Sequence, residues 1–313
     1  MSISSTASPR EQIRIGIPKG SLEESTLSLF TRAGFNFRGS ERSLWLSSND
    51  PEMKPVLLRP QEIPQYVADG SLDCGLSGWD WISESIENHQ TGATEDDFVV
   101  LADLNYSKRT YRPIRWVLAV KRDGPYQSLR DLMPVDGVEK RISTELVSIT
   151  ERWLAEKGIN CKVAFSWGAT EAKVGEFADA IVEATETGAS LQANGLKIID
   201  TVFTSSTRFF ASKKVYMRND WRRAKLDSIA MLLESCLRAD TKESLRVIAG
   251  PTELAALVAL IPAQEKYTVS PAADGGGIID MVITKIDARD LIPRLAKAGA
   301  TRITTSPVGI LYE

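Results

Sequence analysis

Residues 181–191, Ile-Val-Glu-Ala-Thr-Glu-Thr-Gly-Ala-Ser-Leu, join an acid to a turn of hydroxyls and a glycine, a combination suited to phosphate and sugar chemistry. Two β-branched residues, Ile181 and Val182, run out of an expected strand into Glu183. The turn Thr185-Glu186-Thr187-Gly188-Ala189-Ser190 follows, and Leu191-Gln192-Ala193 reads as the start of a helix. Such a turn aims several backbone N–H groups at one point, and the helix dipole favours negative charge there. Gly188 lets the backbone approach a ligand closely, and the Thr187 and Ser190 hydroxyls can donate to phosphate oxygens. An acid just upstream suits sugar hydroxyls better than phosphate. The pattern points to a phosphorylated sugar; its plainer reading is an N-capped helix after a strand.

Other residues extend the anion chemistry. Lys19 and Gly20 form a turn after the first strand, where an ammonium can meet a phosphate. Arg59 closes a strand before Pro60; its guanidinium can fork onto a phosphate or carboxylate, or form a salt bridge between lobes. In Ser77-Gly78-Trp79-Asp80, Gly78 permits close backbone approach, and Asp80 faces a cleft or serves as a first-turn helix acid. The cluster Lys108-Arg109-Thr110-Tyr111-Arg112 can hold a polyanion, or form a solvated hinge. Tryptophans are more often core than stacking platforms, and Trp167, just after an expected strand, is the one to test for stacking. The single histidine, His89, sits in a polar stretch, which argues against Ser-His-Asp or Cys-His catalysis.

Positioning these groups requires a sizeable α/β scaffold. The 313 residues suggest two or three domains, and an apolar share of 43 % suffices for a buried core. A net charge of −3 gives no general attraction to nucleic acid or anionic membrane. Cys74, Cys161 and Cys236 are widely spaced and read as buried thiols in a reducing compartment. No run has the roughly 18 apolar residues of a membrane span, so a cytoplasmic location is expected. Short apolar runs at 13–18, 56–59, 74–77, 98–101, 114–120, 141–143, 163–165 and 181–182 are expected strands. They alternate with helices expected at 22–33, 61–68, 79–86 and 144–156, the last with Ser143 or Thr144 as cap. Residues 196–203 and 209–213 carry the chain back, and 220–239 form a long amphipathic helix. After it come strand 245–249, helix 252–260, strands 267–270 and 278–284, helix 288–297 and strand 301–305. This is a βαββαβ order, with Asp287 expected as N-cap and Gly299 as C-cap.

The 183–191 segment resembles the signature of the ATP phosphoribosyltransferase family, the first enzyme of histidine biosynthesis. There an acid and an aliphatic residue precede a Ser/Thr-Gly-x-Thr-Leu loop that holds the 5-phosphate of phosphoribosyl pyrophosphate. Glu183, Ala184, Thr187, Gly188, Ser190 and Leu191 match; relatives often carry Asp, a larger aliphatic and Thr at the first, second and fifth of these. Residues 13–22, 57–67, 69–81 and 193–202 resemble further family segments in the same order. The resemblance implies two α/β lobes like the type II periplasmic binding proteins, followed by a C-terminal ferredoxin-like regulatory domain of the long form. Its expected division is a disordered tail at 1–12, lobe I at 13–105 and 195–220, and lobe II at 106–194. A linker helix and the regulatory domain occupy 221–313.

The resemblance also implies substrates, effector and site. Residues 183–191 (Glu183, Ala184, Thr185, Glu186, Thr187, Gly188, Ala189, Ser190, Leu191) would bind phosphoribosyl pyrophosphate. Glu183, Lys19 and Arg59 would carry catalysis, with Gly20, Gly78, Asp80, Arg112 and Trp167 at ATP or pyrophosphate. Mg²⁺ would arrive with the substrate phosphates rather than in a cage of protein side chains. Histidine would inhibit through Thr268, Ser270, Asp274 and Arg302, and the chain would form homodimers or homohexamers. The competing expectations are a two-lobed solute-binding or sensor protein without catalysis, and a catalytically degenerate paralogue.

Overall fold

The chain opens with β1 (Ile13–Pro18), whose alternate isoleucines 13, 15 and 17 are fully buried, and α1 (Glu23–Arg32), which buries Thr26, Leu29 and Phe30 at helical spacing. A short antiparallel pair, β2 (Phe37–Arg38) and β3 (Ser47–Ser48), leads to β4 (Met53–Leu58) and α2 (Ile63–Ala68), which has a proline in its first turn. Then come β5 (Cys74–Gly78), α3 (Trp79–Glu87) and β6 (Phe98–Leu104). This is a computed structural model, and it describes residues 11–39, 43–106, 113–273 and 275–313. Residues 1–10 of the expected tail, the 108–112 basic cluster with Arg112, and Asp274 lie outside the described residues. Glu11 and Gln12, expected in the tail, are held: Glu11 pairs with Arg222 at 2.8 Å and Gln12 donates to the Pro51 carbonyl at 3.0 Å.

A second group of strands comprises β7 (Ile114–Lys121), β8 (Lys140–Thr144), β9 (Cys161–Phe165), β10 (Ala180–Thr185) and β11 (Leu196–Ser205). Its helices are α4 (Val147–Lys157) and α5 (Ala189–Ala193). The chain then runs through β12 (Thr207–Ser212), α6 (Lys213–Tyr216) and α7 (Trp221–Ala239). The first sheet has the order β4-β1-β5-β12-β6, with β4, β1 and β5 parallel and β12 antiparallel to both neighbours. The second has the order β11-β7-β10-β8-β9, with β10, β8 and β9 parallel.

Both faces of the second sheet are covered. Trp116, Leu118 and Val120 of β7 pack with α4 residues, while Val117 and Ala119 pack with Leu191. Hence residues 116–120 of β7 are apolar without a break rather than alternating. β11, expected to return to the first lobe, instead pairs along β7 through two register shifts, and only β12 re-enters the first sheet. The apolar residues of 196–203 fit either sheet; the long antiparallel register with β7 decides it.

The chain divides into two compact units, Met1–Ala230 and Met231–Glu313, so the boundary falls inside α7 rather than before it. The start of α7 is tied to the first unit by Lys225, 3.0 Å from Glu52 and also paired with Asp50.

The second unit contains β13 (Lys242–Ala249), α8 (Leu254–Val258), β14 (Tyr267–Pro271), β15 (Gly277–Thr284), α9 (Lys285–Lys297) and β16 (Arg302–Pro307). Its sheet is antiparallel with order β14-β15-β13-β16, as the ferredoxin-like reading requires. Leu245, Val247, Ile279, Met281 and Ile283 pack on Leu257, Leu291 and Leu295 of the two helices. Two capping expectations change. Thr284, not Asp287, caps α9, its hydroxyl accepting the Asp287 N–H at 3.0 Å. Thr144 lies in β8, and its hydroxyl accepts the Leu146 N–H instead of capping α4. Gly299 follows α9 with φ +91°, as a C-terminal glycine should.

Among the described residues, no helix is long and apolar enough to cross a membrane.

Candidate active site

Six parallel strands end on two facing edges, and the residues that follow them carry most of the chemistry. Pro18 and Leu58 are paired at the ends of β1 and β4, which makes Lys19 and Arg59 neighbours. β5 delivers Gly78 and Asp80; β8 delivers Glu145; β9 delivers Ser166 and Trp167; β10 delivers Glu183 and the 185–190 turn. Ligands of open α/β sheets bind outside such carboxyl ends.

Two cavities lie there, both lined by the two lobes of the first unit. The smaller, about 230 Å³, includes Gly78, Asp80, Trp116, Glu183, Ala184 and Ser205 in its wall. The larger, about 720 Å³, includes Arg59, Glu84, Ser148, Phe165 and Trp167. Gln61, Trp81 and Glu145 line both, so the two form one cleft. The Gln61 amide reaches Glu145 across it at 3.4 Å.

Glu183 is largely withdrawn from water. Burial raises its carboxyl above the ordinary value; Glu171 and Glu145 push the same way, against hydrogen bonds from the Thr170 hydroxyl and the Ala184 N–H. Thr170 is itself held: its hydroxyl is 2.8 Å from the buried Ser166 hydroxyl, to which Lys173 Nζ donates at 2.6 Å. A polar chain thus fixes the acid from behind. The sequence reading missed Thr170 and Ser166, since isolated hydroxyls near a strand end carry no distinguishing pattern.

The turn after β10 is preorganised by its own hydroxyls. Gly188 sits at φ +81°, a region that favours glycine, and donates its N–H to Thr185 Oγ1 at 2.8 Å. The Ala189 N–H reaches Thr187 Oγ1 at 3.4 Å, and the Ser190 hydroxyl donates to Glu171 at 2.9 Å. Two groups assigned to a ligand from sequence, the Gly188 N–H and the Ser190 hydroxyl, therefore hold protein acceptors here. Leu191 is buried in the core beneath the turn. Burial of a leucine is worth about 2 kcal/mol, so its side chain anchors the loop rather than touching a ligand.

Asp80 is both a first-turn acid of α3 and a lobe connector. One oxygen accepts the Trp81 N–H at 2.9 Å, the other the Trp116 indole N–H at 2.6 Å, and its own N–H bonds Ser205 Oγ at 3.0 Å. Burial raises its carboxyl, opposed by these donors. A Cβ on Gly78 would lie 2.0 Å from this carboxylate, so glycine is required there for space.

Trp167 is 92 % exposed and stands edge-to-face with Phe165, ring centroids 4.7 Å apart. Two of the residues expected at a histidine site, Ser270 and Arg302, lie apart. Ser270, Ile278, Ile248 and Arg302 form one lateral row, with Ser270 and Arg302 on opposite edge strands. Three strand spacings, about 14 Å, separate them.

A family model described as ATP phosphoribosyltransferase matches residues 59–235. The ATP phosphoribosyltransferase of Chlorobaculum parvum is 45 % identical over 302 residues, 96 % of this chain and 98 % of its own. The chain belongs to the ATP phosphoribosyltransferase family. A more distant member from Thermodesulfovibrio yellowstonii is 41 % identical over 95 % of this chain and 97 % of its own. Among solved structures, the ATP phosphoribosyl transferase (HisG:HisZ) complex from Thermotoga maritima matches with a TM-score of 0.57 and 25 % identity, covering 71 % of this chain and 99 % of that one. Glu183 and the turn at 185–190 fall inside the family match; the second unit extends beyond it.

Proposed function

We propose that this chain transfers the phosphoribosyl group of phosphoribosyl pyrophosphate to ring nitrogen 1 of ATP, releasing pyrophosphate in the first step of histidine biosynthesis. The observation that carries this reading is the half-buried Glu183 in the cleft wall, followed at once by the Gly188 turn. The turn takes the sugar phosphate and Glu183 the ribose hydroxyls. Lys19 and Arg59, adjacent at their strand ends, face the departing pyrophosphate. The adenine nitrogen brings its own lone pair, so no strong base is needed. It attacks the anomeric carbon as the bond to pyrophosphate breaks and that oxygen takes the electron pair. The sugar passes through an oxocarbenium-like state, and catalysis rests on orientation and electrostatics.

Among the described residues, no group of three His, Cys, Asp or Glu side chains could hold a metal. In this reading Mg²⁺ would come with the substrates and offset the charge of their phosphates. The second unit serves as the histidine-sensing module in a homo-oligomer, with Thr268, Ser270 and Arg302 as candidate contacts. Their separation means a single chain does not complete the site. The enzyme works in the cytoplasm.

The test is pyrophosphate release from ATP, phosphoribosyl pyrophosphate and Mg²⁺, with and without histidine. Release that histidine suppresses supports the reading; a folded sample releasing none at saturating substrates removes it.

The exposed Trp167 supplies the face on which adenine stacks. Base stacking on an aromatic is worth about 1–3 kcal/mol. Trp167→Ala should raise the KM for ATP about 10-fold and leave the KM for the sugar within about 2-fold, measured by initial rates.

A further inference from the structure

Helix α3 carries acids at positions 80, 84 and 87, spacings of four and three that place them on one face. Each grips a different part of the second lobe. Asp80 holds the Trp116 indole at 2.6 Å, and Glu87 meets Arg152 at 2.9 Å. Between them Glu84 receives the N–H groups of Ser148 and Ile149 at 2.8 and 2.9 Å. These amides belong to the first turn of α4, where no intrahelical acceptor exists. No side chain of α4's own N-cap region satisfies them. The cap thus comes from the other lobe, which makes it an interlobe connection and not only a local one.

What this cap positions is the cleft. Glu145, just before α4, and Val147, its first residue, line the larger cavity, and Glu145 also lines the smaller. A charged carboxylate accepting two amides at a helix N-terminus is a strong tether, being charge-assisted and aligned with the dipole. Burial raises the Glu84 carboxyl, with the Ile149 and Ser148 N–H groups opposing, so the protein meets a desolvation cost to keep it there.

We propose that Glu84 is a positioning residue for the transfer reaction: from lobe I it fixes the first turn of α4 in lobe II and so sets the nucleotide side of the cleft. This rests on the activity proposed above. The acidic face of α3 makes the two lobes a single pre-set frame, and substrates enter a cleft whose width is already established.

The experiment uses the full chain with Glu84→Gln and Glu84→Ala, each checked for folding by circular dichroism. Misplacement of a reacting group by about 1 Å costs up to about 10²-fold. For Glu84→Ala, the KM for ATP should rise about 10-fold with a further fall in kcat, while the KM for phosphoribosyl pyrophosphate stays within about 2-fold. Glu84→Gln, which keeps one acceptor oxygen, should fall between Ala and the parent. Amide hydrogen exchange supplies a readout independent of turnover: Ser148 and Ile149 should lose at least about 10-fold protection in Glu84→Ala. Unchanged exchange at these two amides, or a kcat loss with both KM values unchanged, overturns the proposal. Absence of pyrophosphate release in the parent protein would instead remove the activity on which it rests, and the exchange result would stand apart from that failure.

Discussion

Gly188→Val should abolish detectable transfer, lowering kcat/KM for phosphoribosyl pyrophosphate by at least about 10³-fold. Valine at φ +81° is strained by roughly 1–2 kcal/mol, and the turn must shift to relieve it. The shift breaks the Gly188 N–H bond to Thr185 and disorders the amides that face the sugar phosphate. Losing two hydrogen bonds to a charged group, at about 2 kcal/mol each, already accounts for a factor near 10³. The stability cost should be modest, since a Cβ here meets only Ile198 Cδ1 at 3.4 Å. Tm should fall by about 2–8 °C. Gly188→Ala separates strain from bulk: it shares the backbone penalty but should keep more activity than valine. Calorimetric titration with phosphoribosyl pyrophosphate checks binding directly. If Gly188→Val binds the sugar like the parent, the loop is vestigial, and a degenerate paralogue becomes the better reading.

How much of this arrangement could be read from the sequence depended on whether the signal was local. β1 and α3 start where apolar runs and turn residues place them, because burial alternation and helix entry are properties of short segments. The antiparallel order of the second unit followed from βαββαβ, since crossover rules leave few alternatives. The Gly188 turn was legible for the same reason: glycine among hydroxyls after a β-branched pair is a local pattern. Partner choice was not. β11 reads equally well as a strand of either sheet, and only its long antiparallel register with β7 decides it. Trp116 packs in the core, yet its indole N–H is what holds Asp80. Glu84 belongs to no local motif; its partners lie 64 and 65 residues onward. Glu145, at the end of β8, could have been found by the strand-end rule that picked Arg59. Long-range polar contacts leave no periodicity behind, so they become visible only when the lobes are assembled.

Glu183→Gln should lower kcat/KM by about 10²–10³-fold while the protein becomes no less stable at neutral pH. The two halves of this expectation share one cause. Burial is the largest influence raising the Glu183 carboxyl, with Glu171 and Glu145 adding to it and Thr170 and Ala184 opposing. A carboxyl raised on folding binds its proton more tightly in the folded chain than in the unfolded one. Stability is therefore greatest below the ordinary glutamate range and declines as pH rises through the folded-state value. Above that value the ionised group opposes folding, and glutamine removes the opposition. Tm of Glu183→Gln should thus equal or exceed that of the parent at pH 7–8, and the difference should shrink as the pH is lowered toward about 4. Activity runs the other way, because the charged carboxylate must accept the ribose hydroxyls and face the positive charge growing on the sugar. The parent should lose activity on the acid side at a pH above the ordinary glutamate range, and the glutamine variant should lack that limb. A variant with near-parent turnover, or one that keeps the same acid limb, would mean that another group carries the charge. A lowered Tm at pH 8 would mean that the carboxylate is held by attraction rather than tolerated despite burial. The combination of higher stability with lost activity is the signature of an acid kept in place for the reaction and at the expense of the fold.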